Sequence, residues 1–243
     1  MYGNMRVSVV MPAYNEAEGI TDTVREFIAH PWVDEVVVAD NNSTDETAQR
    51  ATAAGAKVVK EPRQGYGYAC RTALANGMGD LIVLTESDNS FYPGDLKILF
   101  AYIDHFDMVK GARSNRHLIQ EGADWDFPLM LGNWLVAKYM QILNFGLNSL
   151  EDINQREVGG TYRVIRRDAL QRILPHLSEG GSAFLPDMTT IAFRRGLKVI
   201  EVPIRYRRRL GTSKITGSRI KAVSLALRMC MIIGRNRFKR VPK

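Results

Sequence analysis

Two carboxylates stand close together in the first half of this 243-residue chain. Glu86 and Asp88 are separated by one residue and directly follow the apolar stretch at residues 80–85. Side chains at i and i+2 of an extended segment point to the same side, and paired carboxylates suit a hard divalent cation that also takes phosphate oxygens. The pair predicts a metal and diphosphate site, with a solvated acidic turn as the competing interpretation.

A third carboxylate, Asp40, ends the apolar run at residues 35–39. A carboxylate at a strand end can accept hydrogen bonds from a nucleobase or from ribose hydroxyls, and we predict that role for Asp40. The Ser-Thr-Asp-Glu sequence at residues 43–46 is typical of a helix N-terminus, where short polar side chains cap the free amides. The segment therefore predicts a nucleoside contact between a strand and a helix.

Five cations fall within ten residues toward the C-terminal end, at Arg205, Arg207, Arg208, Arg209 and Lys214. Guanidinium groups bind phosphate oxygens through paired hydrogen bonds, and Lys adds a point charge. The segment predicts a phosphate-binding loop. A solvated basic loop is the alternative.

The pattern of apolar runs predicts the elements that must bring these residues together. Strand-like runs at residues 7–11, 35–39, 56–59 and 80–85 alternate with helical stretches at 16–29, 46–54 and 68–78. This alternation predicts an α/β fold with a mostly parallel sheet flanked by helices, which binds ligands beyond the carboxyl ends of its strands. Further helices are expected at 129–143, 167–174 and 188–195, and further strands at 160–165 and 198–202.

Composition excludes several classes of protein. With 45% hydrophobic residues, 20 Gly and 9 Pro, the chain is neither disordered nor collagen-like. Cys70 and Cys230 lack the spacing of a zinc site or a disulfide framework, no run is long enough for a spanning helix, and no signal peptide precedes the first strand. We expect a cytoplasmic protein with one globular domain over residues 1–214 and a basic C-terminal region over 215–243.

The net charge of +7 is unevenly distributed. Residues 1–193 carry 17 basic and 25 acidic side chains, a net charge of −8, whereas residues 194–243 carry 16 basic side chains and one acidic one, a net charge of +15. A basic C-terminal part could bind a phosphorylated substrate, an anionic membrane or nucleic acid.

Six short motifs follow one another along the chain. They are Pro-Ala-Tyr-Asn-Glu at 12–16, Asp-Asn-Asn-Ser-Thr-Asp at 40–45, Glu-Ser-Asp at 86–88, Gly-Ala-Arg at 111–113, Gly-Thr-Tyr-Arg at 160–163 and Arg-Arg-Leu-Gly-Thr-Ser-Lys at 208–214. Together they resemble family-two glycosyltransferases of the GT-A (Rossmann-like) fold, in the dolichol-phosphate mannose synthase-like branch. The resemblance covers residues 6–214 and implies an enzyme that uses a nucleotide-diphosphate sugar with Mg²⁺ or Mn²⁺.

The resemblance also implies roles for individual residues. The donor nucleotide-sugar would be held by Pro12, Ala13, Tyr14, Glu16, Asp40, Glu86, Ser87, Asp88, Arg208 and Lys214. Asp88 and Glu86 would bind the metal, and the acceptor phosphate would contact Arg113, Arg116 and Ser213. Asp88, Arg113 and Arg208 would act in catalysis.

Several positions depart from the family's pattern. Glu86 is one methylene longer than the usual Asp, and Ser90 stands where the branch often has Gln as a further metal ligand. Asn41 and Asn42 replace Asp-Gly, and Glu157 stands where Asp usually precedes the fifth motif. These changes point to an outlying member of the branch with its own sugar or acceptor.

The leading hypothesis for the acceptor is a polyprenyl phosphate that receives a hexose with inversion. A phosphate monoester, whose second pKa is about 6, is ionised at neutral pH and needs no strong base. The alternative is a soluble hydroxyl acceptor in cell-wall or natural-product assembly, which needs a carboxylate base. Asp187 is the candidate base, and a helix N-cap before Met188 is its structural alternative.

Residues 215–235 predict an amphipathic helix. Lys221, Ser224, Arg228 and Arg235 fall on one side of the helical wheel, and a broad apolar surface covers the rest. A basic stripe on an apolar helix suits peripheral contact with a membrane face. Packing against the catalytic domain and a homodimer contact are the alternatives.

Other functional classes fit less well. A sugar-nucleotide pyrophosphorylase would carry a Gly-rich, Arg-containing loop after its first strand, and residues 12–16 do not form one. A nucleic-acid-binding module would interleave cations with exposed aromatic residues, but only Phe238 follows Tyr206, so no nucleic-acid partner is expected. A degenerate sugar-nucleotide sensor is the other non-enzymatic alternative, because Glu86 and Ser90 depart from the pattern.

Overall fold

The computed structural model describes residues 1–113, 115–121, 123, 127–145, 155–210 and 219–238. Within them one sheet contains β1 (Val7–Ala13), β2 (Glu35–Asp40), β3 (Lys57–Lys60), β4 (Leu81–Leu84), β5 (Met108–Ala112), β6 (Arg163–Arg166) and β7 (Val199–Pro203). The strand order is β3-β2-β1-β4-β6-β5-β7. Only β6 runs antiparallel to its neighbours. The predicted mostly parallel α/β fold is confirmed.

Eight α-helices of the described residues flank this sheet. They are α1 (Ile20–Ile28), α2 (Thr47–Ala53), α3 (Tyr66–Asn76), α4 (Leu96–Phe100), α5 (Phe127–Asn144), α6 (Arg167–Ile173), α7 (Phe184–Arg194) and α8 (Arg219–Phe238). The sequence pattern predicts six of the seven strands but misses β5, which is only five residues long and contains Lys110 and Gly111. It also misses the short helix α4.

The sheet separates two apolar cores because successive strand residues point to opposite faces. In β1, Val10 belongs to the core under α3, α5, α6, α7 and α8, whereas Val9 and Met11 belong to the core under α1, α2 and α4. Every residue of β1 is buried. Burial on both faces explains why these strands are continuous apolar runs in the sequence.

The chain turns sharply after three neighbouring strands, and each turn contains an asparagine with positive φ. Asn15 follows β1 with φ 51°, Asn42 follows β2 with φ 62°, and Asn89 follows β4 with φ 63°. Asparagine tolerates the left-handed region better than most residues other than glycine. Asn42 stands where the motif that the segment resembles has glycine, and its positive φ is one that glycine adopts readily.

The C-terminal helix α8 packs along the catalytic part of the chain. Its buried side includes Ile232 and Ile233, and Ala226 and Met229 contact the same core. The apolar surface predicted for this helix is therefore divided, because another part of it is exposed. The predicted helix start at residue 215, and the tail after residue 238, lie outside the described residues. No helix in the described ranges has both the length and the apolarity needed to cross a membrane.

Candidate active site

One open cavity lies at the carboxyl ends of β1, β2 and β4. The strand β1 has β2 on one side and β4 on the other, so the chain leaves β1 in one direction and returns on the opposite side. Open α/β sheets have a ligand-binding crevice at such a point. Its walls contain residues of all six sequence motifs, together with the segment at 64–69 and other neighbours. They include Pro12, Ala13, Tyr14, Glu16, Asn41, Gln64, Tyr66, Ala69, Glu86, Ser87, Asp88, Ser90, Phe91, Arg113, Gly159, Thr161, Tyr206 and Arg209.

Asp88 faces a cation across this cavity. Its Oδ2 lies 3.4 Å from Nη2 of Arg209, and the same Nη2 lies 3.6 Å from Oε1 of Glu16. Its Oδ1 accepts hydrogen bonds from the amide and the hydroxyl of Ser90, at 3.1 and 2.5 Å. Ser90 thus orients the carboxylate that the sequence assigns to metal binding.

Glu86 points toward a different wall. Its Oε1 accepts hydrogen bonds from the hydroxyls of Tyr66 at 2.8 Å and Thr161 at 2.5 Å. Burial raises the pKa of the Glu86 carboxyl, and the nearby charge of Asp88 raises it further. The extra methylene of Glu, compared with Asp, extends the carboxylate to these hydroxyls. Asp88 is therefore better placed than Glu86 to bind a cation.

The residues after β2 hold a loop beside the cavity, at residues 61–65. Asn41 donates from Nδ2 to the carbonyl oxygens of Glu61 and Arg63, at 3.0 and 2.8 Å, and accepts at Oδ1 from the amide of Gly65 at 2.8 Å. Asp40 is only 7% exposed and accepts from the amide of Ser43 at 3.3 Å. Asn41, rather than Asp40, lines the cavity.

Arg113 lines the opposite wall and is held by Glu157. Its amide donates to Oε2 of Glu157 at 2.6 Å, and its Nε and Nη2 donate to Oε1, the Nε bond being 2.8 Å long. The guanidinium carbon lies 4.8 Å from the centre of the Tyr206 ring. Glu157 is nearly buried. These contacts fix the guanidinium at the cavity edge, where it is paired with the Glu157 carboxylate.

Not every predicted site residue reaches the cavity. Pro12, Ala13, Tyr14, Glu16, Glu86, Ser87, Asp88 and Arg113 line it, whereas Asp40, Arg116, Arg208 and Asp187 do not. Arg208 is exposed, its amide donates to Oε1 of Gln120 at 3.3 Å, and Arg209 occupies the inward position. Arg116 is exposed on a short 3-10 turn. Ser213 and Lys214 lie outside the described residues.

The position of Asp187 argues against its predicted role as a catalytic base. It lies inside α7, which begins at Phe184, so it does not cap a helix that begins at Met188 either. It is fully buried, its Oδ2 accepts from the amides of Ser178 and Glu179 at 3.1 Å each, and its Oδ1 accepts from Nδ2 of Asn236. Burial raises the pKa of Asp187, and these hydrogen bonds oppose the shift. The geometry gives this side chain a structural role.

The family of the chain follows from comparison with known proteins. The model of glycosyl transferase family 2 matches residues 8–174, more than half of the chain. The chain is a family-2 glycosyltransferase. The matched region contains β1 to β6 and most of the cavity wall. The resemblance carried by the six motifs is thereby confirmed.

Two curated relatives span most of this glycosyltransferase. An undecaprenyl-phosphate mannosyltransferase of Micrococcus luteus is 31% identical over 225 residues, which cover 88% of either chain. An uncharacterized glycosyltransferase of Mycobacterium tuberculosis is 30% identical over 214 residues, which cover 87% of this chain and 90% of the relative. The chain is therefore an enzyme of the sugar-transfer class.

A solved structure shows the same fold. Glucosyl-3-phosphoglycerate synthase from Mycobacterium tuberculosis, crystallised with Mn²⁺, UDP and phosphoglyceric acid, aligns with a TM-score of 0.72 at 20% identity. The alignment covers 99% of this glycosyltransferase and 80% of the synthase. The predicted GT-A architecture is confirmed by this likeness.

The donor atoms in the cavity of the glycosyltransferase fit a divalent metal that is shared with substrate. No group of three His, Cys, Asp or Glu side chains able to hold a metal occurs among the residues that the structure describes. Mg²⁺ commonly takes one or two carboxylates, with phosphate and water oxygens completing its shell. Asp88 provides such a carboxylate, at 7% side-chain exposure and on the cavity wall.

Sequence reasoning missed several residues of this cavity. Tyr66 and Thr161, which orient Glu86, were not assigned, although Thr161 belongs to the fifth motif. The sequence marks Asn41 only as a departure from the family's pattern, and Arg209 only as part of a basic run. The Gly-Tyr-Gly sequence at residues 65–67, which begins α3 beside the cavity, is the signal that could have found Tyr66.

Proposed function

We propose that the protein is a metal-dependent, inverting hexosyltransferase that moves a sugar from a nucleotide-diphosphate donor to a polyprenyl phosphate. The observation that carries this proposal is the pairing of Asp88 with Arg209 across the cavity. A carboxylate and a guanidinium that face one space can bind a metal-diphosphate group from two sides. The metal would be Mg²⁺ or Mn²⁺.

The donor half of the site follows from charge. Departure of a nucleoside diphosphate requires neutralisation of negative charge on the leaving group. A divalent cation held by Asp88, with Glu86 nearby, would supply part of that neutralisation as a Lewis acid, and Arg209 would supply the rest by hydrogen bonding. The buried Nε of Arg209 has no hydrogen-bond partner among the described residues, so a donor is available for a phosphate oxygen.

The other donor contacts involve the first three motifs. We assign the nucleoside to the space bounded by Tyr14, Asn41 and Gln64. Asp40 would contribute indirectly, since its carboxylate accepts a hydrogen bond from the amide of Ser43 and so orients that segment beside the cavity. Ser87 donates to the carbonyl oxygen of Pro12 at 2.9 Å and so holds the first and third motifs together.

The acceptor half favours a phosphate. Arg113, fixed by Glu157, offers a rigid guanidinium to an incoming anion. A phosphate monoester needs no strong base at neutral pH, which agrees with the position of Asp187 away from the cavity. The Micrococcus relative is named for transfer to undecaprenyl phosphate, and this name supports a lipid-linked acceptor here.

The location that suits such an acceptor is the cytoplasmic face of a membrane. Residues 1–214 would form the catalytic domain, and the C-terminal region at 215–243 would make the peripheral contact. The exposed Val223, Leu227 and Met231 of α8 support this arrangement. A homodimer contact is the competing role for the same helix.

A substrate panel tests the donor assignment. Thermal unfolding would be followed with UDP-sugars and GDP-sugars, each with and without Mg²⁺ or Mn²⁺. We expect metal-dependent stabilisation by at least one donor in the wild type, and its loss in Asp88→Asn. Asp168→Asn, an exposed carboxylate on α6, is the matched control and should behave as wild type. If no donor stabilised the wild type under any condition, the proposal would fail.

A soluble phosphorylated acceptor is the second candidate. It is supported by the solved synthase, whose structure contains phosphoglyceric acid, because Arg113 could bind the phosphate of such an acceptor as well. Product analysis with undecaprenyl phosphate and 3-phosphoglycerate in parallel separates the two candidates. Transfer to 3-phosphoglycerate alone would select the second.

A further inference from the structure

The exposed apolar residues of this protein are concentrated on two helices that pack together. Among the described residues, α5 and the residue after it expose six large apolar side chains. Apart from the adjacent pair at 134 and 135, successive members are three or four positions apart, as one helix face requires. They are Leu131, Trp134, Leu135, Tyr139, Ile142 and Phe145. Ile142 is 73% exposed and Phe145 is 65% exposed. The opposite side of α5, at Val136, Ala137 and Met140, is buried in the core.

The second helix, α8, has an exposed apolar stripe of its own. Val223, Leu227 and Met231 are each more than 60% exposed and are spaced four residues apart, and Phe238 is 78% exposed. The two helices contact each other, and Nε of Arg237 on α8 donates to the carbonyl oxygen of Leu143 on α5 at 2.6 Å. We call the exposed side of this pair the α5–α8 face.

The charge of the two helices identifies what could cover this face. Neither helix contains Asp or Glu, whereas α5 contains Lys138 and α8 contains five basic residues, Arg219, Lys221, Arg228, Arg235 and Arg237. Lys138 lies 5.7 Å from the ring centre of Trp134. A second copy of the chain would bring basic helices against basic helices, whereas anionic lipid headgroups would neutralise them. Trp and Tyr beside Lys and Arg are also typical of membrane interfaces.

The α5–α8 face is joined to the cavity at two points. On α5, Oδ1 of Asn133 accepts from the amide of Val158 at 3.2 Å, next to the cavity residue Gly159. On α8, Nη2 of Arg228 donates to Oε1 of Glu179 at 2.7 Å. Glu179 is followed by a loop that contacts α3, and α3 contributes Tyr66 to the cavity wall.

The loop after Glu179 packs on the N-terminus of α3. The amide of Gly67 donates to the carbonyl oxygen of Gly180 at 2.9 Å, and a Cβ on Gly67 would clash with the carbonyl oxygen of Glu179. Tyr66, the neighbour of Gly67, lines the cavity. Both helices of the face are therefore one short segment away from residues that line the cavity.

We propose that the α5–α8 face docks on an anionic lipid bilayer and holds the cavity next to it. The inference rests on the proposed function for its purpose, since a docked enzyme would meet an acceptor whose phosphate lies at the bilayer surface. It extends the sequence prediction because α5 contributes more exposed apolar side chains than α8. The bound state buries apolar side chains in the headgroup region while basic side chains contact lipid phosphates.

Vesicle binding tests this surface with the full chain. Purified protein would be sedimented with vesicles of phosphatidylglycerol and phosphatidylcholine, and with vesicles of phosphatidylcholine alone. We expect binding to the anionic vesicles, and at least tenfold weaker binding by Leu135→Gln/Ile142→Gln and by Leu227→Gln. Met78→Gln is the matched control, because Met78 is 61% exposed and lies outside the face. Thermal unfolding of each variant would verify that it is folded.

The proposal that the α5–α8 face binds lipid would be overturned if the wild type did not bind the anionic vesicles, or if the folded variants bound them equally well. It would also be overturned if light scattering showed a wild-type dimer that the same substitutions convert to a monomer. Transfer assays in vesicles that contain undecaprenyl phosphate separate this inference from the proposed function. Binding without transfer would overturn the acceptor assignment alone. Efficient transfer by the variants of the α5–α8 face would overturn the lipid-docking proposal and leave the acceptor assignment intact.

Discussion

Three consecutive arginines, Arg207, Arg208 and Arg209, have three different environments. Nη2 of Arg207 donates to Oε2 of Glu26 at 2.6 Å, and Arg208 is exposed. Arg209 faces the cavity. The amide of Leu210 donates to the carbonyl oxygen of Asp88 at 2.9 Å and pins the segment against β4. Adjacent side chains of an extended segment point to opposite sides, so only one of Arg208 and Arg209 can face inward.

This arrangement predicts unequal effects of two matched substitutions. Arg209→Gln should weaken binding of the nucleotide-sugar by about 10- to 100-fold, because a charge-assisted hydrogen bond contributes about 1.5–3 kcal/mol. Arg208→Gln should change it by less than about threefold, since an exposed cation outside the cavity adds little. Titration calorimetry with the donor identified by thermal unfolding measures both dissociation constants. A larger loss of affinity in Arg208→Gln than in Arg209→Gln would mean that Arg208 binds the donor, as the sequence motif predicts, and that Arg209 does not.

At the scale of elements, α7 and α8 are joined by a buried polar contact. Asp187 on α7 accepts from Asn236 on α8, and the carbonyl oxygen of Asn236 accepts from Nη1 of Arg194 at the end of α7. Both Asp187 and Asn236 are almost inaccessible to solvent. These contacts attach the C-terminal helix to the catalytic part, beside the loop that Arg228 binds.

The contact predicts a loss of stability in Asp187→Asn rather than a loss of chemistry. Two backbone amides and one side-chain amide donate to this carboxylate, and an Asn amide nitrogen cannot accept from them. The free energy of unfolding should fall by about 1–3 kcal/mol, the cost of unsatisfied buried donors. Urea unfolding measures it, with Asp168→Asn as the exposed control. A folded Asp187→Asn variant without turnover would instead revive the catalytic base.

At the scale of the whole molecule, the uneven charge of the sequence becomes a set of contacts between its two parts. Arg205 donates from Nε to Oδ1 of the buried Asp95 at 2.8 Å. Arg207 pairs with Glu26, and Arg209 pairs with Glu16 and Asp88. The basic segment after β7 therefore crosses the acidic N-terminal half and closes one side of the cavity. The described residues of the +15 portion are thus neighbours in space of the −8 portion.

A buried lysine makes the stability of the whole fold depend on pH. Lys110 is fully buried, and burial lowers its pKa from 10.5 to about 8 despite the nearby Glu201. Between these pH values the unfolded chain binds more protons than the folded chain, so this group makes the free energy of unfolding rise with pH.

Urea unfolding at pH 7.5 and 9.5 measures this contribution when wild type is compared with Lys110→Met. From pH 7.5 to 9.5 the free energy of unfolding of the wild type should rise by up to about 2 kcal/mol more than that of the variant, at 1.36 kcal/mol per pKa unit. Titrating groups that do not interact with Lys110 are common to both proteins and cancel in the difference. An equal pH dependence of the two proteins would show that Lys110 keeps its ordinary pKa.

The sequence predicted the fold and the location of the site, but not the partners of each side chain. Apolar runs revealed β1, β2 and β4 because those strands are buried on both faces, and the polar residues after them had to meet at one edge. The role of Arg113 could be anticipated from its motif, but its anchor Glu157 is 44 residues away in the chain. Such a pairing depends on β5 and β6 lying side by side, which no local pattern shows.

The sequence by itself determined that this chain is an α/β enzyme of the glycosyltransferase class, because motif residues at strand ends depend only on local order along the chain. Only the tertiary structure decided that Arg209 faces inward, that Asp187 is buried, and that α5 joins α8 in one exposed apolar face. These properties depend on which sides of distant segments pack together. Packing is set by the whole core, and no segment contains that information alone.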